Sequence, residues 1–383
     1  MAKQKNNLSY GVINSKMRAL LLIISAFFFL GAAAPGCPFT SLFPKNIPAD
    51  GGVFKSADGG FNWGQKFSLA DSGDKKGADN IAVLNVLSLA IDPRDSNIIY
   101  AGTEKNGLFR SSDAAETWQK YNNAVLSNET IYDIAINPKD SKNIYLAAST
   151  ADLRGRVLKS DDEGNTWQEV YITSSARKDF IRKLKIDFYD PKVVYFGTNA
   201  GGLFRSADSG KSWSLLKWFS GSVDNIAINP KDTRIIYATG SGDGLFKSLD
   251  KGASWQSLNG GLKDFEIPSR NKIDALVLDP ANPNVIYLGS IIGILKSDNG
   301  AVSWRAVKII TPTKILPINS LIVNPSNSAK VYYSIALQIY ISGDGAETNW
   351  TVRNLPTSRN IPVILVDPKN ENIIYAGSYS MFN

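Results

Sequence analysis

The chemistry open to this chain is carboxylate chemistry, because its 383 residues include no histidine and a single cysteine, Cys37. A serine–histidine–aspartate triad and a histidine-ligated metal site are therefore excluded. Glycoside hydrolysis, in contrast, needs only two carboxyl groups placed across a sugar. A convergent pair of acids would mark such an enzyme, but most aspartates of this chain fall within repeated turn motifs, where a structural role explains them.

The turn motif Ser-x-Asp-x-Gly-x-x-Trp occurs seven times and takes up seven of the eight tryptophans. Four copies are intact and three are degenerate, with Ala115, Ala301 or Ala346 at the glycine position. In such a motif the serine and aspartate oxygens bond turn N–H groups, glycine adopts positive φ, and tryptophan buries its ring under the turn. We assign this structural role to Asp58, Trp63, Asp113, Trp118, Asp162, Trp167, Asp208, Trp213, Asp250, Trp255, Trp304, Asp344 and Trp350.

A second motif alternates with the first and also occurs seven times. It reads apolar-x-Asp/Asn-Pro and, after a short polar stretch, apolar-apolar-Tyr; the first copy runs from Ile91 to Tyr100 and the last from Val366 to Tyr375. Asp or Asn before proline starts a turn, and Ile/Val/Tyr-rich runs are strand signals. One copy of each motif therefore predicts four short strands, A to D, and the chain is expected to be all-β.

The order of the motifs predicts a closed ring. The chain starts with a C–D unit at residues 52–67 and ends with an A–B unit at residues 362–378, with six complete units between them. We predict a seven-bladed β-propeller of four-stranded antiparallel blades, in which residues 51–67 pair with residues 362–378 to close the last blade. The alternative is that residues 375–382 begin a strand of an eighth blade.

The turn motif resembles the Asp-box, or bacterial neuraminidase repeat, across residues 51–378. Asp-box propellers occur in sialidases, sortilin-type receptors, xyloglucanase-like glycoside hydrolases and the photosystem II stability/assembly factor family. Seven boxes in one ring look most like the assembly-factor family, since the sortilin-type propellers and xyloglucanases are larger. The Arg-Ile-Pro motif of sialidases is absent; the most similar string is Glu266-Ile267-Pro268.

The N-terminus predicts export and a lipid anchor. Residues 1–36 carry four basic residues and no acid, then an apolar run and small residues, which is typical of a secretory signal. The signal resembles that of a bacterial lipoprotein, which implies cleavage before Cys37 and lipidation of that residue. We expect a signal peptide at 1–36, a linker at 37–50 and a propeller at 51–383, anchored in a bacterial cell envelope. An uncleaved anchor helix is the alternative.

Net charge argues against a nucleic-acid partner. The chain has a net charge of +7, but its first 36 residues contribute four of the positive charges, which leaves +3 for the rest. A nearly balanced propeller does not generate the basic field that nucleic-acid binding requires.

One cluster of loop residues predicts a binding surface. In a propeller the A–B and C–D turns emerge on one face, and the B–C and D–A loops on the other, where variable residues collect. We group as a partner-binding surface on that second face the residues Arg154, Arg156, Arg177, Lys178, Phe180, Arg182, Lys183, Trp218 and Phe219. The alternative is scattered loop charges beside an aromatic pair packed between blades.

The sequence thus favours an exported, lipid-anchored propeller that acts as a non-catalytic protein-binding or assembly scaffold. The family resemblance implies a protein partner, such as a membrane protein under assembly. No metal and no cofactor are expected. Two alternatives stay open: a carbohydrate-active enzyme or glycan-binding module, and an envelope structural protein without a dedicated ligand.

Overall fold

The computed structural model describes residues 50–70, 80–150, 152–174, 179–265, 267, 272–310 and 316–380. Cys37 and the segment predicted to be a signal peptide lie outside these ranges. Two short 3-10 helices, Ile81–Val83 and Asn259–Phe265, occur among the described residues, and the regular structure is otherwise β. No helix in the described ranges combines the length and apolar character needed to cross a bilayer.

The strands form seven antiparallel sheets of four over the described part of the chain. Blade 1 contains β3 (Val86–Ile91), β4 (Ile99–Thr103), β5 (Leu108–Ser111) and β6 (Gln119–Lys120). Blade 2 contains β7 (Thr130–Ile136), β8 (Ile144–Ser149), β9 (Gly155–Ser160) and β10 (Gln168–Ile172). Blade 3 contains β11 (Ile181–Ile186), β12 (Val194–Thr198), β13 (Gly202–Ser206) and β14 (Ser214–Trp218). Blade 4 contains β15 (Val223–Ile228), β16 (Ile236–Gly240), β17 (Gly244–Ser248) and β18 (Gln256–Ser257). Blade 5 contains β19 (Ile273–Leu278), β20 (Ile286–Ser290), β21 (Gly293–Ser297) and β22 (Arg305–Ala306). Blade 6 contains β23 (Ser320–Asn324), β24 (Asn327–Ile335), β25 (Gln338–Ser342) and β26 (Trp350–Asn354). Blade 7 is β27 (Asn360–Val366), β28 (Ile374–Tyr379), β1 (Val53–Ser56) and β2 (Gly64–Lys66).

Blade 7 confirms the predicted closure. Strand β1 pairs antiparallel with β28, with Phe54 opposite Ala376 and Ser56 opposite Ile374. Strand β28 also pairs with β27, and β1 with β2, so the two ends of the chain share one sheet. Because residues 375–379 already belong to the second strand of blade 7, they do not begin an eighth blade.

A buried arginine reinforces the closure. The Arg359 side chain, 3% exposed, donates from Nη1 to the carbonyl oxygens of Val83 and Leu84, ahead of blade 1. Its Nε lies 3.2 Å from Oδ1 of Asp50, at the start of the described chain. Asp50 in turn accepts two hydrogen bonds from Ser358. One guanidinium therefore joins the beginning of the ring, its last blade and its first blade.

The Ser-x-Asp-x-Gly-x-x-Trp turns share one hydrogen-bond pattern. In blade 3, Gly210 N–H donates to Ser206 Oγ at 2.8 Å, and Ser212 N–H donates to Asp208 Oδ1 at 2.9 Å. Degenerate copies keep the pattern: Ala115 N–H donates to Ser111 Oγ at 2.9 Å although its φ is +70°, a backbone conformation that favours glycine. The serine and aspartate therefore define the turn even where glycine is absent.

The two sequence motifs meet across each blade boundary. Tyrosine hydroxyls of the second motif donate to the carbonyl oxygen of the fourth turn residue in the next blade: Tyr287 to Gly345 at 3.0 Å, and Tyr237 to Gly300 at 3.4 Å. The aspartate before proline also accepts from the next blade, as in the 2.6 Å bond from Ser328 Oγ to Asp279 Oδ1. These bonds join neighbouring blades on the A–B/C–D face.

The tryptophans of the turns are less buried than the sequence predicts. Only Trp118 among them belongs to the fully buried core, with 0% exposure, and the other six are partly exposed. Trp118 lies where blade 1 meets blade 7, and its Nε1 donates to the Lys66 carbonyl at 3.1 Å. The other turn tryptophans pack against hydrophobic cores that include residues of their own blades while keeping part of the ring exposed.

We predict that Trp118→Ala lowers the free energy of unfolding by about 3–5 kcal/mol, because it removes a fully buried aromatic ring and leaves a cavity at the ring closure. Trp218→Ala is the matched control, since Trp218 is 58% exposed and its loss should cost less than about 1 kcal/mol. Urea unfolding of both variants, followed by tryptophan fluorescence and circular dichroism, measures the difference. Equal losses would contradict the burial argument.

Candidate functional site

The innermost strands line a central channel and share an irregularity near their first residues. A register shift interrupts their pairing with the second strand in blades 1 to 5 and blade 7. Bulges re-aim side chains and are common beside functional sites. In each of blades 1 to 5, one residue of the innermost strand has no paired residue on the second strand. From blade 1 to blade 5 this unpaired residue is Leu87, Tyr132, Arg182, Asp224 and Asp274.

These residues lie at the end of the channel where the D–A and B–C loops emerge, because each innermost strand begins after a D–A loop. The channel contains a cavity of about 190 Å³ to which the innermost strands of all seven blades contribute. Tyr132, Asp133, Lys183 and Asp274 are among its lining residues. We call this end of the channel the mouth.

Two carboxyl groups converge at the mouth around one lysine. Lys272 Nζ lies 3.1 Å from Asp224 Oδ1 and 4.0 Å from Asp274 Oδ1. Ser222 Oγ also donates to Asp224 Oδ1, at 2.7 Å. The Oδ2 atoms of both aspartates are buried and accept no hydrogen bond from the described residues. Each acid therefore has one buried oxygen that no described residue bonds, and the Asp224 side chain as a whole is only 3% exposed.

Asp274 differs from an ordinary carboxyl group. Burial raises its pKa to about 6, and the charge of Asp224 adds to the rise, while Lys272 and Arg182 act in the opposite direction. Its side chain is 16% exposed, which leaves it little water to stabilise a charge. Asp274 can therefore hold a proton near neutral pH, while Asp224 forms the closer ion pair with Lys272. In the described ranges, no group of three or more Asp, Glu or Cys residues is arranged to hold a metal ion.

Aromatic side chains flank the acids. The rings of Tyr132 and Phe180 stack with centroids 5.0 Å apart and an interplanar angle of 16°. The Arg182 guanidinium carbon lies 5.9 Å from the Phe180 centroid, and its charge also acts on Asp274. Arg182 thus lies between an aromatic platform and the pair of acids.

The structure separates the residues that the sequence grouped as one binding surface. Phe180, Arg182 and Lys183 come together at the mouth. Arg156 is instead paired internally: its side chain is 14% exposed and forms ion pairs with Glu129 and Glu169. Arg154 contacts Asp152 at 2.8 Å in a B–C loop. The predicted members Arg177 and Lys178 lie outside the described residues.

Trp218 and Phe219 are adjacent in sequence but differ in exposure. Trp218 is exposed at the end of β14, the outermost strand of blade 3, at the edge of the ring. Phe219 is 1% exposed and packs in the core between blades 3 and 4, against residues such as Val223 and Phe246. The prediction that Phe219 contacts a partner is wrong, because its ring fills the boundary between the blades.

Sequence reasoning missed Tyr132, Asp224, Lys272 and Asp274. A signal for three of them is present in the second motif, whose strand reads apolar-x-x-apolar-x-apolar before the Asp or Asn residue. Two adjacent variable positions interrupt the alternation expected of a half-buried strand, which indicates a bulge. The first of these positions holds Tyr132, Asp224 and Asp274 in three blades. Lys272 precedes the strand and carries no such signal.

Comparison with known proteins points to carbohydrate-active relatives. No family model matches the chain. The chain is 30% identical over 146 residues to the xyloglucanase Xgh74A of Acetivibrio thermocellus. The matched segment covers 34% of this chain and 17% of that enzyme. The structure resembles the GH74 xyloglucanase from Xanthomonas campestris, with a TM-score of 0.64, 18% identity, and coverage of 78% of this chain and 51% of that one. It also resembles YCF48 bound to a D1 peptide, with a TM-score of 0.58, 16% identity, and coverage of 78% and 94%.

These findings correct the functional expectation from sequence. The structural neighbours include both GH74 propellers and YCF48, a photosystem II assembly factor. The curated relatives, however, are xyloglucanases, which overturns the expectation of a non-catalytic scaffold that is not an enzyme. The findings support the alternative of a carbohydrate-active protein. The chain spans less than a fifth of the length of the curated relatives that it matches.

We predict that Asp274→Asn stabilises the protein at neutral pH but not in acid. Because the pKa of Asp274 is raised to about 6 from 3.8, its protonated form is favoured on folding, and stability is lost as pH rises through this interval. Asparagine cannot ionise, so the variant should gain up to about 2–3 kcal/mol over the native protein above pH 6 and nothing below pH 4.

Urea unfolding at both ends of this pH range measures the effect. Asp298→Asn is the control, since its side chain is 55% exposed and should show no such pH-dependent gain. An equal gain for Asp274→Asn in acid and at neutral pH would contradict the assignment of a protonated acid at this position.

Proposed function

We propose that this propeller is a carbohydrate-active protein that binds an oligosaccharide across the channel mouth and hydrolyses a glycosidic bond there. The observation that carries the proposal is the pair of acids Asp224 and Asp274. The two acids approach one ammonium group, yet burial raises the pKa of Asp274 to about 6. Pairs of carboxyl groups whose environments differ in this way are the machinery of glycoside hydrolysis.

The small volume of the cavity favours a sugar chain that lies across the mouth over one enclosed in the channel. A cavity of about 190 Å³ is smaller than the roughly 300 Å³ at which enclosed small-molecule sites begin. An oligosaccharide would therefore rest on the mouth and direct one sugar toward the acids. The stacked rings of Tyr132 and Phe180 offer an apolar surface to the C–H face of a neighbouring sugar.

The chemistry assigns one role to each acid. Asp274, which its pKa of about 6 keeps protonated in weakly acidic solution, would donate its proton to the oxygen of the leaving sugar. Asp224 would act on the opposite side of the anomeric carbon, either through a water molecule or directly. Since both Oδ1 atoms lie within 4.0 Å of Lys272 Nζ, they are at most about 7 Å apart, which is below the upper limit of roughly 9.5 Å between glycosidase carboxyl groups. Lys272 holds this spacing.

Similarity to the xyloglucanases supports the class of reaction. The matched segment covers about a third of this chain, so the substrate of those enzymes is a first candidate here and no more. Xyloglucan oligosaccharides therefore lead the panel of substrates, followed by other plant and bacterial glycans.

We predict that the protein releases reducing ends from at least one glycan of this panel and that Asp274→Asn lowers kcat by about 100-fold or more, the usual contribution of a general acid. The loss of activity of the native protein at high pH should follow the pKa of about 6 for Asp274, since the acid must be protonated to act. Reducing-end assays across the pH range, with calorimetry for binding, measure both effects.

Controls separate binding from hydrolysis. Asp298→Asn, far from the mouth on the C–D turn of blade 5, should leave activity unchanged. Phe180→Ala should weaken binding with less effect on kcat. Binding without reducing-end release in the native protein would remove hydrolysis from the proposal, and the absence of both across the panel would overturn it.

We further propose that the protein is exported and anchored to a bacterial envelope through a lipid on Cys37. The motivation is the basic, apolar and small-residue pattern of residues 1–36 followed by the single cysteine of the chain. Cys37→Ser should abolish metabolic labelling with a radioactive fatty acid and release the protein from membranes or leave it unprocessed. Unchanged labelling would contradict the anchor.

A further inference from the structure

Two consecutive cations lie near the acid pair at the mouth without forming an ion pair with it in the described structure. Arg182 and Lys183 follow one another on β11, beside the strand that carries Asp224. Neither has a carboxylate oxygen within 4.0 Å of its charged nitrogen atoms among the described residues. Lys183 lines the channel cavity, and burial lowers its pKa. A buried cation without a close counter-ion is costly to a fold.

The nearest acids are already engaged. The charges of Asp133 and Asp224 act on Lys183. However, Asp133 accepts backbone N–H groups of Ile134 and Leu184, at 3.1 and 3.0 Å. Asp224 is paired with Lys272. Asp133 and Asp224 attract the charge of Lys183, whereas Lys185 and Arg182 repel it, and no described residue gives it a direct carboxylate partner.

The equivalent position in other blades has a purely structural use. Ser88 Oγ donates to the Ile131 carbonyl at 3.2 Å, and Asn225 Nδ2 donates to the Ile273 carbonyl at 3.1 Å. Ser320 Oγ accepts from Ile364 N–H at 3.1 Å. Each of these bonds ties one innermost strand to the next. In blade 3 the equivalent residue is Lys183, which has a positively charged side chain facing the cavity in place of a neutral hydrogen-bonding group.

We infer that the glycan bound at the mouth carries a carboxylate, as in a uronic acid residue, and that Arg182 and Lys183 bind this group. The inference rests on the proposed function, because it specifies the substrate class of the same site. A guanidinium and an ammonium from adjacent residues can hold the two oxygens of one carboxylate. The anionic sugar would lie over blade 3, with the acids of blades 4 and 5 beside it. Cations and acids would then contact different parts of the chain of sugars.

The test compares an anionic ligand with its neutral methyl ester. Tetragalacturonate and its fully methyl-esterified form share their sugars and length, but only the first carries carboxylates. Calorimetry on the full-length protein should give at least tenfold tighter binding of the acid form, with the preference shrinking in high salt. Lys183→Met and Arg182→Gln should each remove most of this preference.

Lys211→Met is the control. Lys211 is an exposed residue of the Ser206–Trp213 turn of blade 3, on the opposite face of the ring, and its removal should change the preference less than twofold. Thermal unfolding checks the fold: Lys183→Met should melt at the temperature of the native protein or above it, because it removes a poorly paired buried charge. A preference that is lost only together with the fold would overturn the assignment.

The remaining outcomes separate the inference from the proposed function. Equal binding of the acid and ester forms would overturn the inference and leave glycan binding intact. Binding of neither form, nor of any neutral glycan in the panel, would overturn both. If monomeric galacturonate or inorganic phosphate bound as tightly as the oligomer, the site would be one for small anions, and the glycan assignment would fail. A preference retained in both Lys183→Met and Arg182→Gln would place the anion elsewhere.

Discussion

The structure depends on one strand, β1, which enters blade 7 between β28 and β2. Each blade of a propeller packs between two others, so a blade that lacked its third strand would expose a sheet edge and leave two neighbours unsupported. Arg359 and Trp118 add their contacts at this boundary. The central channel exists only in the closed ring, and the residues that line it are therefore brought together only when the ring is closed.

The two faces of the ring differ: one carries repeated hydrogen bonds between blades, and the other carries residues whose types vary from blade to blade. On the A–B/C–D face, tyrosine hydroxyls and aspartates of one blade bond the turns of the next, and these residue types recur in nearly every repeat. On the other face, the bulged position of the innermost strand changes its residue type from blade to blade. Because blade contacts are secured on the first face, substitutions at the mouth can be tolerated by the fold. A repeat protein can thus acquire a site without losing its architecture.

Much of the fold could be predicted from the sequence because its two motifs carry turn chemistry that acts locally. The Ser-x-Asp turn and the Asx-Pro turn set the hairpins, and the half-repeats at the two ends set the closure. The site could not be predicted in the same way. Asp224 and Asp274 are separated by a whole blade in sequence, and only the ring brings them to one lysine. Phe219 and Trp218, adjacent in sequence, end in the core and on the surface, because the chain turns between blades at that point.

The distribution of residue types around the mouth is the strongest structural sign that this end of the channel has a function. Tyr132 of blade 2, Arg182 of blade 3, Asp224 of blade 4 and Asp274 of blade 5 all occupy the same bulged position of one repeat. A structural position would favour one residue type in all blades, as the recurring tyrosines do. Here the residue types differ, and several of them are unfavourable to the fold: burial raises the pKa of Asp274 and lowers that of Lys183. Groups that disfavour folding are retained where a ligand uses them. The stability secured by the other face offsets their cost, and the mouth is therefore where the function of this propeller should be sought.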